Sequence, residues 1–220
     1  LKLNNSPFIL QTCAMATFAN PKARWDFRFA TPAYIFGTEP NAFLASQKDR
    51  LPQGKALSVA DGEGRNSVWL AQQGLQVDAF DFSEPAVAKA RHLADSRQVK
   101  VAFHLSDWQS FAWPSAQYDC VAGIFFQFVD AEDRAVLFQR MSNSLKPGGL
   151  MLIQGYSPAQ LKFNTGGPGE LSHLYDESLM LASFPGYHVL ELRTYEAQVQ
   201  EGAAHQGMSG LLGFAAIKPA

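Results

Sequence analysis

A chain of 220 residues is long enough for one domain with a full core, and 47% hydrophobic and 17% charged residues make an ordinary globular composition. A formal net charge of −2 gives no support for a nucleic-acid surface, which needs concentrated basic side chains. The two cysteines, Cys13 and Cys120, rule out a disulfide framework, and no stretch reaches the ~20 apolar residues that span a bilayer.

Taken in chain order, Leu1 to Ala19 has an apolar middle and an Ala-x-Ala-like end, the outline of a secretory leader. Lys2 is its one basic residue, however, and Asn4, Asn5 and Pro7 interrupt the run, so a cytoplasmic location is the expectation; Leu1 in place of an initiator Met leaves the true start open. The aromatic-rich stretches Trp25 to Phe29 and Tyr34 to Asn41 follow, with neither helical nor strand periodicity sustained. Residues 1–50 are read as either a structural arm or a cap over the site, with one short helix from Asn41 to Lys48 and a turn at Leu51-Pro52-Gln53-Gly54.

From residue 55 strands and helices alternate. Strand one is predicted over Ala56 to Ala60, a helix over Asn66 to Gln73 closed by Gly74, and strand two over Gln76 to Phe80. Ser83 is a good N-cap with Pro85 in the first turn of a helix reaching about Asp95. Strand three runs from Val99 to His104 and strand four, apolar almost throughout, from Tyr118 to Ile124. A helix from Asp130 or Ala131 to Leu145 meets a hard stop at Lys146-Pro147-Gly148-Gly149, before strand five at Leu150 to Gln154. Residues 155–185 break the rhythm with a Gly166-Gly167-Pro168-Gly169 loop and a helix around Asp176 to Ser183. Tyr187 to Val199 and Leu211 to Ile217 are strands that can pair antiparallel across a loop at Gln200 to Gly210. The expected architecture is α/β: one domain over 1–220, a Rossmann-like, doubly wound, mostly parallel sheet with an antiparallel C-terminal strand pair at one edge, in an α/β/α sandwich. Residues 55–155 form the cofactor core, 155–185 a substrate-side insertion and 186–220 the strand pair.

The chemistry centres on Ala60-Asp61-Gly62-Glu63-Gly64-Arg65-Asn66, a Gly-x-Gly turn between a strand and a helix. Gly62 and Gly64 let backbone approach a ligand closely, and the helix start offers unpaired N–H groups. Asp61 and Glu63 put negative charge around the turn, which repels a pyrophosphate and welcomes an ammonium or sulfonium. Asp81, at the tip of strand two, can accept the hydroxyls of a ribose or cap the helix that follows. Asp107-Trp108 can meet an adenine, or be a turn Asp beside a core Trp. Gly123 to Phe128 ends strand four beside the cofactor and faces a second substrate, although Phe126 and Phe128 can equally be core. No metal-ligand spacing is present, so no metal is expected.

Together with Val77-Asp78-Ala79-Phe80-Asp81-Phe82-Ser83, Tyr118-Asp119-Cys120-Val121 and Leu145-Lys146-Pro147-Gly148-Gly149-Leu150, these motifs resemble the class I S-adenosylmethionine-dependent methyltransferases over residues 55–155. Glu63-Gly64-Arg65-Asn66, the Tyr34 to Leu44 segment and Thr165-Gly166-Gly167-Pro168 are similar to the small tellurite-resistance-like and thiopurine-methyltransferase-like group. The resemblance implies S-adenosyl-L-methionine as cofactor, with Ala60, Asp61, Gly62, Gly64, Arg65, Asn66, Asp81, Phe82, Ser83, Asp107, Trp108 and Gly123 around it. It implies methyl transfer; Gly37, the glycines of 166–169 and the short chain suggest a small-molecule pocket, and an aromatic arm that excludes water favours soft or anionic acceptors such as thiolates or chalcogen oxyanions. Where the family often has an acid and a glycine, this chain has Ser58 and Ala60, so Asp61 is expected to take the ammonium contact, directly or through water. Trp25, Arg28, Phe29, Phe36, Phe126 and Gln127 are candidates for acceptor contact, and Tyr34, Tyr156 and His205 for catalysis. A catalytically inactive cofactor-binding module and an NAD-dependent oxidoreductase are the competing readings. The expected partners are a small-molecule substrate and at most a second copy of the chain, as monomer or homodimer, with no nucleic acid or membrane.

Overall fold

The computed structural model describes residues 20–163 and 165–220; the leader-like stretch Leu1–Ala19 and Cys13 lie outside them. In chain order the elements are α1 (Pro21–Phe29), α2 (Ala42–Ser46), β1 (Lys55–Val59), α3 (Arg65–Gln72), β2 (Gln76–Asp81), α4 (Glu84–Ser96), β3 (Val101–Leu105), β4 (Tyr118–Ile124), α5 (Ala131–Ser144), β5 (Leu145–Tyr156), α6 (Glu177–Ser183), β6 (His188–Glu201) and β7 (His205–Ile217). They build one seven-stranded sheet in the order β3-β2-β1-β4-β5-β7-β6. The first five strands pair in parallel, and β7 runs antiparallel to both of its neighbours.

The strand order reverses between β1 and β4, and in open α/β sheets such a switch point leaves a crevice at the carboxyl ends. Register aligns those ends here: Val59 lies opposite Phe80 of β2 on one side and Gly123 of β4 on the other. β1 and β4 are apolar on both faces because both faces are covered. On one face Leu57, Val59, Val121 and Ile153 cluster with Leu137, Phe138 and Met141 of α5 and Met180 of α6. On the other, Ala56, Ala122, Leu152 and Ala215 cluster with Phe43 and Leu44 of α2 and Leu70 of α3. Among the described residues no helix is long and apolar enough to cross a membrane.

Three elements differ from the sequence expectation. The aromatic stretch at Trp25 is a helix, α1. Asn20 caps it by accepting from Lys22 N at 2.9 Å, Pro21 occupies the first turn, and Lys22 pairs with Asp26 one turn on. Nine residues are too few for periodicity to declare it. The Lys146 to Gly149 stretch does not stop a helix short of the strand but lies inside β5. Gly148 N donates to Lys218 O at 3.0 Å and Lys218 N to Gly149 O at 2.9 Å, so the chain's far end satisfies a segment that looked like a turn. The loop expected over 200–210 shrinks to three residues, because β6 and β7 stay paired out to Glu201 opposite His205. Its tip rests on the N-terminal segment: Ala204 N donates to Ile35 O at 2.9 Å, and a side chain at Gly202 would collide with the backbone of Ile35 to Gly37. That contact carries His205 to the carboxyl edge of the sheet.

Candidate functional site

The bend after β1 is shaped by three left-handed residues: Ala60 at φ 49, Gly62 at 62 and Gly64 at 90. Gly64 is obligatory for packing, since a Cβ there would sit 2.7 Å from the Cβ of Ala90 on α4. Gly62 is different: a Cβ there would meet only the Phe29 ring, at 3.6 Å. The side-chain-free surface of the bend therefore faces α1, which lies across it.

Asp61 is committed to the protein. Its Oδ1 accepts from Ser58 Oγ at 2.7 Å and Ser67 N at 3.2 Å, and its Oδ2 from Ser67 Oγ at 2.5 Å. Gly64 has no side chain with which to cap α3, and Asp61 supplies that bond from upstream. Burial pushes its carboxyl up from the ordinary Asp value, against the pull of the Ser67 and Ser58 bonds. The expected direct ammonium contact is thus replaced by an internal one: Ser58 stands where an acid was expected, and its hydroxyl draws Asp61 inward. Asp61→Ala is expected to lower stability by about 1–2 kcal/mol, the upper range for a lost cap. Thermal denaturation beside a calorimetric titration with S-adenosylhomocysteine separates this from a ligand contact, which would lower affinity with stability unchanged.

Asp81 sits at the tip of β2 with its oxygens divided. Oδ2 accepts from Gly62 N and Oδ1 from Ser83 N, both at 2.9 Å. Each oxygen keeps acceptor capacity beyond these bonds. Burial raises its pKa to about 6, with the nearby Asp61 and Asp26 charges adding to the rise and the Ser83 and Gly62 amides opposing it. Ser83 starts α4, and Phe82 beside it is half-buried. Asp107 uses Oδ1 to accept from Gln109 N at 3.0 Å and Ser110 N at 2.7 Å, an Asx-type turn, and its Oδ2 has no partner among the described residues. Trp108 is core, with Arg140 stacked 5.2 Å from its ring.

Beyond the bend an aromatic chain leads outward. Trp25 stacks on Phe29 at 5.3 Å, Phe29 meets Phe36 edge-on at 6.1 Å, and Phe36 lies 4.5 Å from the His205 ring. His205 in turn contacts Phe125 at 4.6 Å and Tyr156 at 5.8 Å. It is 9% exposed, and burial lowers its pKa from the usual histidine value. Its Nδ1 has no hydrogen-bond partner but lies 3.6 Å from Glu201 Oε2. Burial raises the pKa of Tyr156 to about 12.

Behind His205 is a buried polar network. Arg65 Nη2 pairs with Glu201 Oε2 at 2.7 Å, and its Nη1 donates to Phe36 O at 3.2 Å. Glu201 also accepts from Asn41 Nδ2 at 2.9 Å and Ala42 N at 3.2 Å, while Asn41 N donates to Asn66 Oδ1 at 3.0 Å. Burial alone would raise the Glu201 pKa, but His205, Arg65 and Ala42 more than offset it and hold the carboxylate at about 2. Glu63 makes a second tie, accepting from Lys89 Nζ at 2.8 Å and Phe36 N at 3.3 Å. Two buried carboxylates thus clamp residues 34–42 to the glycine bend and to the hairpin tip.

Of the residues singled out from sequence, Asp81, Gly62, Phe29, Phe36, Tyr156, His205, Trp25 and Arg28 converge on one face. Others do not. Tyr34 donates its hydroxyl to Lys89 O at 3.0 Å and anchors the N-terminal segment to α4. Phe126 is 1% exposed, packed on Phe138 and Tyr175 in the core. Gln127 spends its amide on backbone, donating to Tyr156 O and His173 O at 2.9 Å and accepting from Tyr156 N at 2.5 Å. Gly123 makes room for Phe126, whose ring a Cβ would strike. Arg65 bonds to Phe36 and to Glu201 of the hairpin, and Asn66 to Asn41. Phe125, Glu201 and Asn41 were not anticipated. Phe125 adopts φ 54, which turns it toward His205 while its neighbour turns inward.

Residues 56–149 match a family model described as a methyltransferase domain. The chain is 31% identical over 141 residues to a carboxy-S-adenosyl-L-methionine synthase of Aeromonas hydrophila, covering 63% of this chain and 53% of that protein. It is 28% identical over 106 residues to a demethylmenaquinone methyltransferase of Thermus thermophilus, covering 47% and 48%. The chain spans about half or less of the length of these curated relatives. Among solved structures, TehB from Haemophilus influenzae superposes with a TM-score of 0.67 at 18% identity, over 90% of this chain and 66% of that one. A structure reported for the conversion of a disulfide bond into a thioacetal group during echinomycin biosynthesis gives 0.68 at 18% identity, over 86% and 85%.

Proposed function

The chain has the class I S-adenosylmethionine-dependent methyltransferase fold, and on that premise we propose that it transfers the methyl group of S-adenosyl-L-methionine to a small-molecule acceptor. The observation that carries this reading is Asp81, held by Gly62 N and Ser83 N at the switch point with lone pairs to spare. The residues present suit the cofactor. A carboxylate with free acceptor capacity fits the two ribose hydroxyls, the bend at Gly62 carries no side chain of its own and is covered by the Phe29 ring of α1, and Asp107 Oδ2 is open to an adenine amino group. Bound there, S-adenosylmethionine supplies an electrophilic methyl group on a sulfonium whose leaving thioether is neutral, so no general acid is needed.

The chain's own residues then have three tasks. Asp81 and Asp107 orient the nucleoside, Asp61 contributing through the shape of the bend. The Trp25, Phe29 and Phe36 rings exclude water, which strengthens an in-line displacement by holding both reactants in place. His205, neutral because it is buried, turns Nδ1 toward the Glu201 carboxylate. The tautomer with a proton on Nδ1 leaves Nε2 able to take a proton from the acceptor. Thiols and oxyanions remain the acceptor classes that need least help from such a base. A cytoplasmic setting and a monomeric or homodimeric state belong to this reading.

Two measurements test it. Transfer of a labelled methyl group to a panel of small thiols and chalcogen oxyanions is expected; tight cofactor binding with no turnover on any acceptor would favour an inactive module, and a preference for NADH would overturn the assignment. Affinity for S-adenosylhomocysteine should also depend on pH. The ionised form of Asp81 accepts ribose hydroxyls, and its folded-state pKa of about 6 is raised, so affinity rises as pH increases through 6 and then levels. Calorimetry from pH 5 to 8 should show that inflection, and Asp81→Asn should lack it.

A further inference from the structure

A cavity of about 520 Å³ opens between the C-terminal half of α1, the turn after it and the β6–β7 turn. Its walls include Ala30, Ile35, Ala203 and Ala204, and Arg28 is the one charged side chain among the residues that line it. We propose that this cavity holds the acceptor, and that the acceptor is an amphipathic monocarboxylate: an apolar body against the alanine and isoleucine wall, with its carboxylate on the Arg28 guanidinium. This rests on the methyltransferase reading and adds the chemical class of the second substrate.

Arg50, Arg65, Arg97 and Arg193 each pair with a carboxylate. Arg91, Arg134 and Arg140 each donate to a backbone carbonyl. Arg28 does neither. Half-buried, it lies 4.6 Å over the Trp25 ring and 5.8 Å from Phe36, and among the described residues no carboxylate lies within ion-pair distance of it. Leaving a guanidinium part-desolvated with only ring faces as company costs free energy unless an anion completes it. The planar fork of Arg matches a carboxylate bidentately, which favours that group over a spherical anion. Stacking on Trp25 fixes the fork's plane in advance, so little side-chain entropy is lost when the anion arrives.

Position supports the same assignment. Ala204 lines the cavity, and the next residue is His205, whose ring packs on Phe36 and Phe125. Phe36 is also the ring beside Arg28. An acceptor anchored by its carboxylate at Arg28 meets the Phe36 ring, which also contacts His205 and Phe29, and its far end must extend past that ring for its reacting atom to reach the methyl group in line.

The test uses a matched pair of probes with the same apolar body, 2-naphthoate and neutral 2-naphthamide, titrated into the full chain with S-adenosylhomocysteine present. Naphthoate is expected to bind saturably and at least tenfold more tightly than the amide. Arg28→Gln should abolish that preference and Arg28→Lys should keep part of it, with S-adenosylhomocysteine affinity within twofold of wild type in both. Equal binding of the two probes, no binding of either, or an intact preference in Arg28→Gln would overturn the proposal. Failure of S-adenosylhomocysteine to bind, with Arg28-dependent naphthoate binding intact, would instead remove the methyltransferase reading and leave the anion site standing.

Discussion

Arg65→Met should cost about 3–5 kcal/mol of stability, because it strands the Glu201 carboxylate in a site from which water is excluded. The side chains of the pair are 7% and 12% exposed. For a domain of this size the loss corresponds to a fall in Tm of about 6–20 °C, at roughly 2–4 °C per kcal/mol. The double variant Arg65→Met/Glu201→Leu should regain part of the loss, since it removes the stranded charge. Recovery stays incomplete because Asn41 Nδ2 and Ala42 N then lose the acceptor they share. The cycle can be read by thermal denaturation monitored by circular dichroism. A single-variant loss below about 1 kcal/mol would place the pair in effective contact with solvent and would dissolve the picture of a clamp between the hairpin, the N-terminal segment and the glycine bend.

Asp81→Ala should weaken S-adenosylhomocysteine binding about 100-fold or more. Two charge-assisted hydrogen bonds to the ribose are lost at about 1.5–3 kcal/mol each, and 1.4 kcal/mol is a tenfold change. A second effect points the same way. Gly62 N and Ser83 N both donate to Asp81, so its removal leaves the bend and the start of α4 less tightly defined. Asp81→Asn retains a carbonyl oxygen for one of these amides and should fall between wild type and Asp81→Ala. Wild-type affinity in Asp81→Ala, with the fold intact, would mean that the nucleoside is held elsewhere.

The architecture was legible because the core strands are short apolar runs closed by turn residues, and α5 and α6 start at the capping residues Asp130 and Asp176. β4 matches its expected span residue for residue, as do the start of α5 and the end of α6. What was not legible depended on partners far along the chain. The start of β5 is defined by Tyr118 and Lys218, so local chemistry at Pro147 and Gly148 suggested a stop. α1 announces itself only through Asn20 and Pro21, a signal present in the sequence but outweighed by the missing periodicity. At the site, residue types were read more reliably than directions. Asp81 could be named from its place at a strand end, and His205 from the loop expected between the last two strands. That Phe125 and not Phe126 faces the site depends on one left-handed residue in a loop, and that Asp61 turns inward depends on Ser58 and Ser67. The Arg65–Glu201 contact joins residues 136 apart, a separation that periodicity cannot bridge.

The central claim is that the bend and Asp81 form a nucleoside site beneath α1, and a calorimetric titration of the full chain with S-adenosylhomocysteine, run beside one with NADH, addresses it most directly. Saturable one-to-one binding of S-adenosylhomocysteine and none of NADH is the expected result. No heat with S-adenosylhomocysteine at concentrations up to the millimolar range, or tighter binding of NADH, would contradict it.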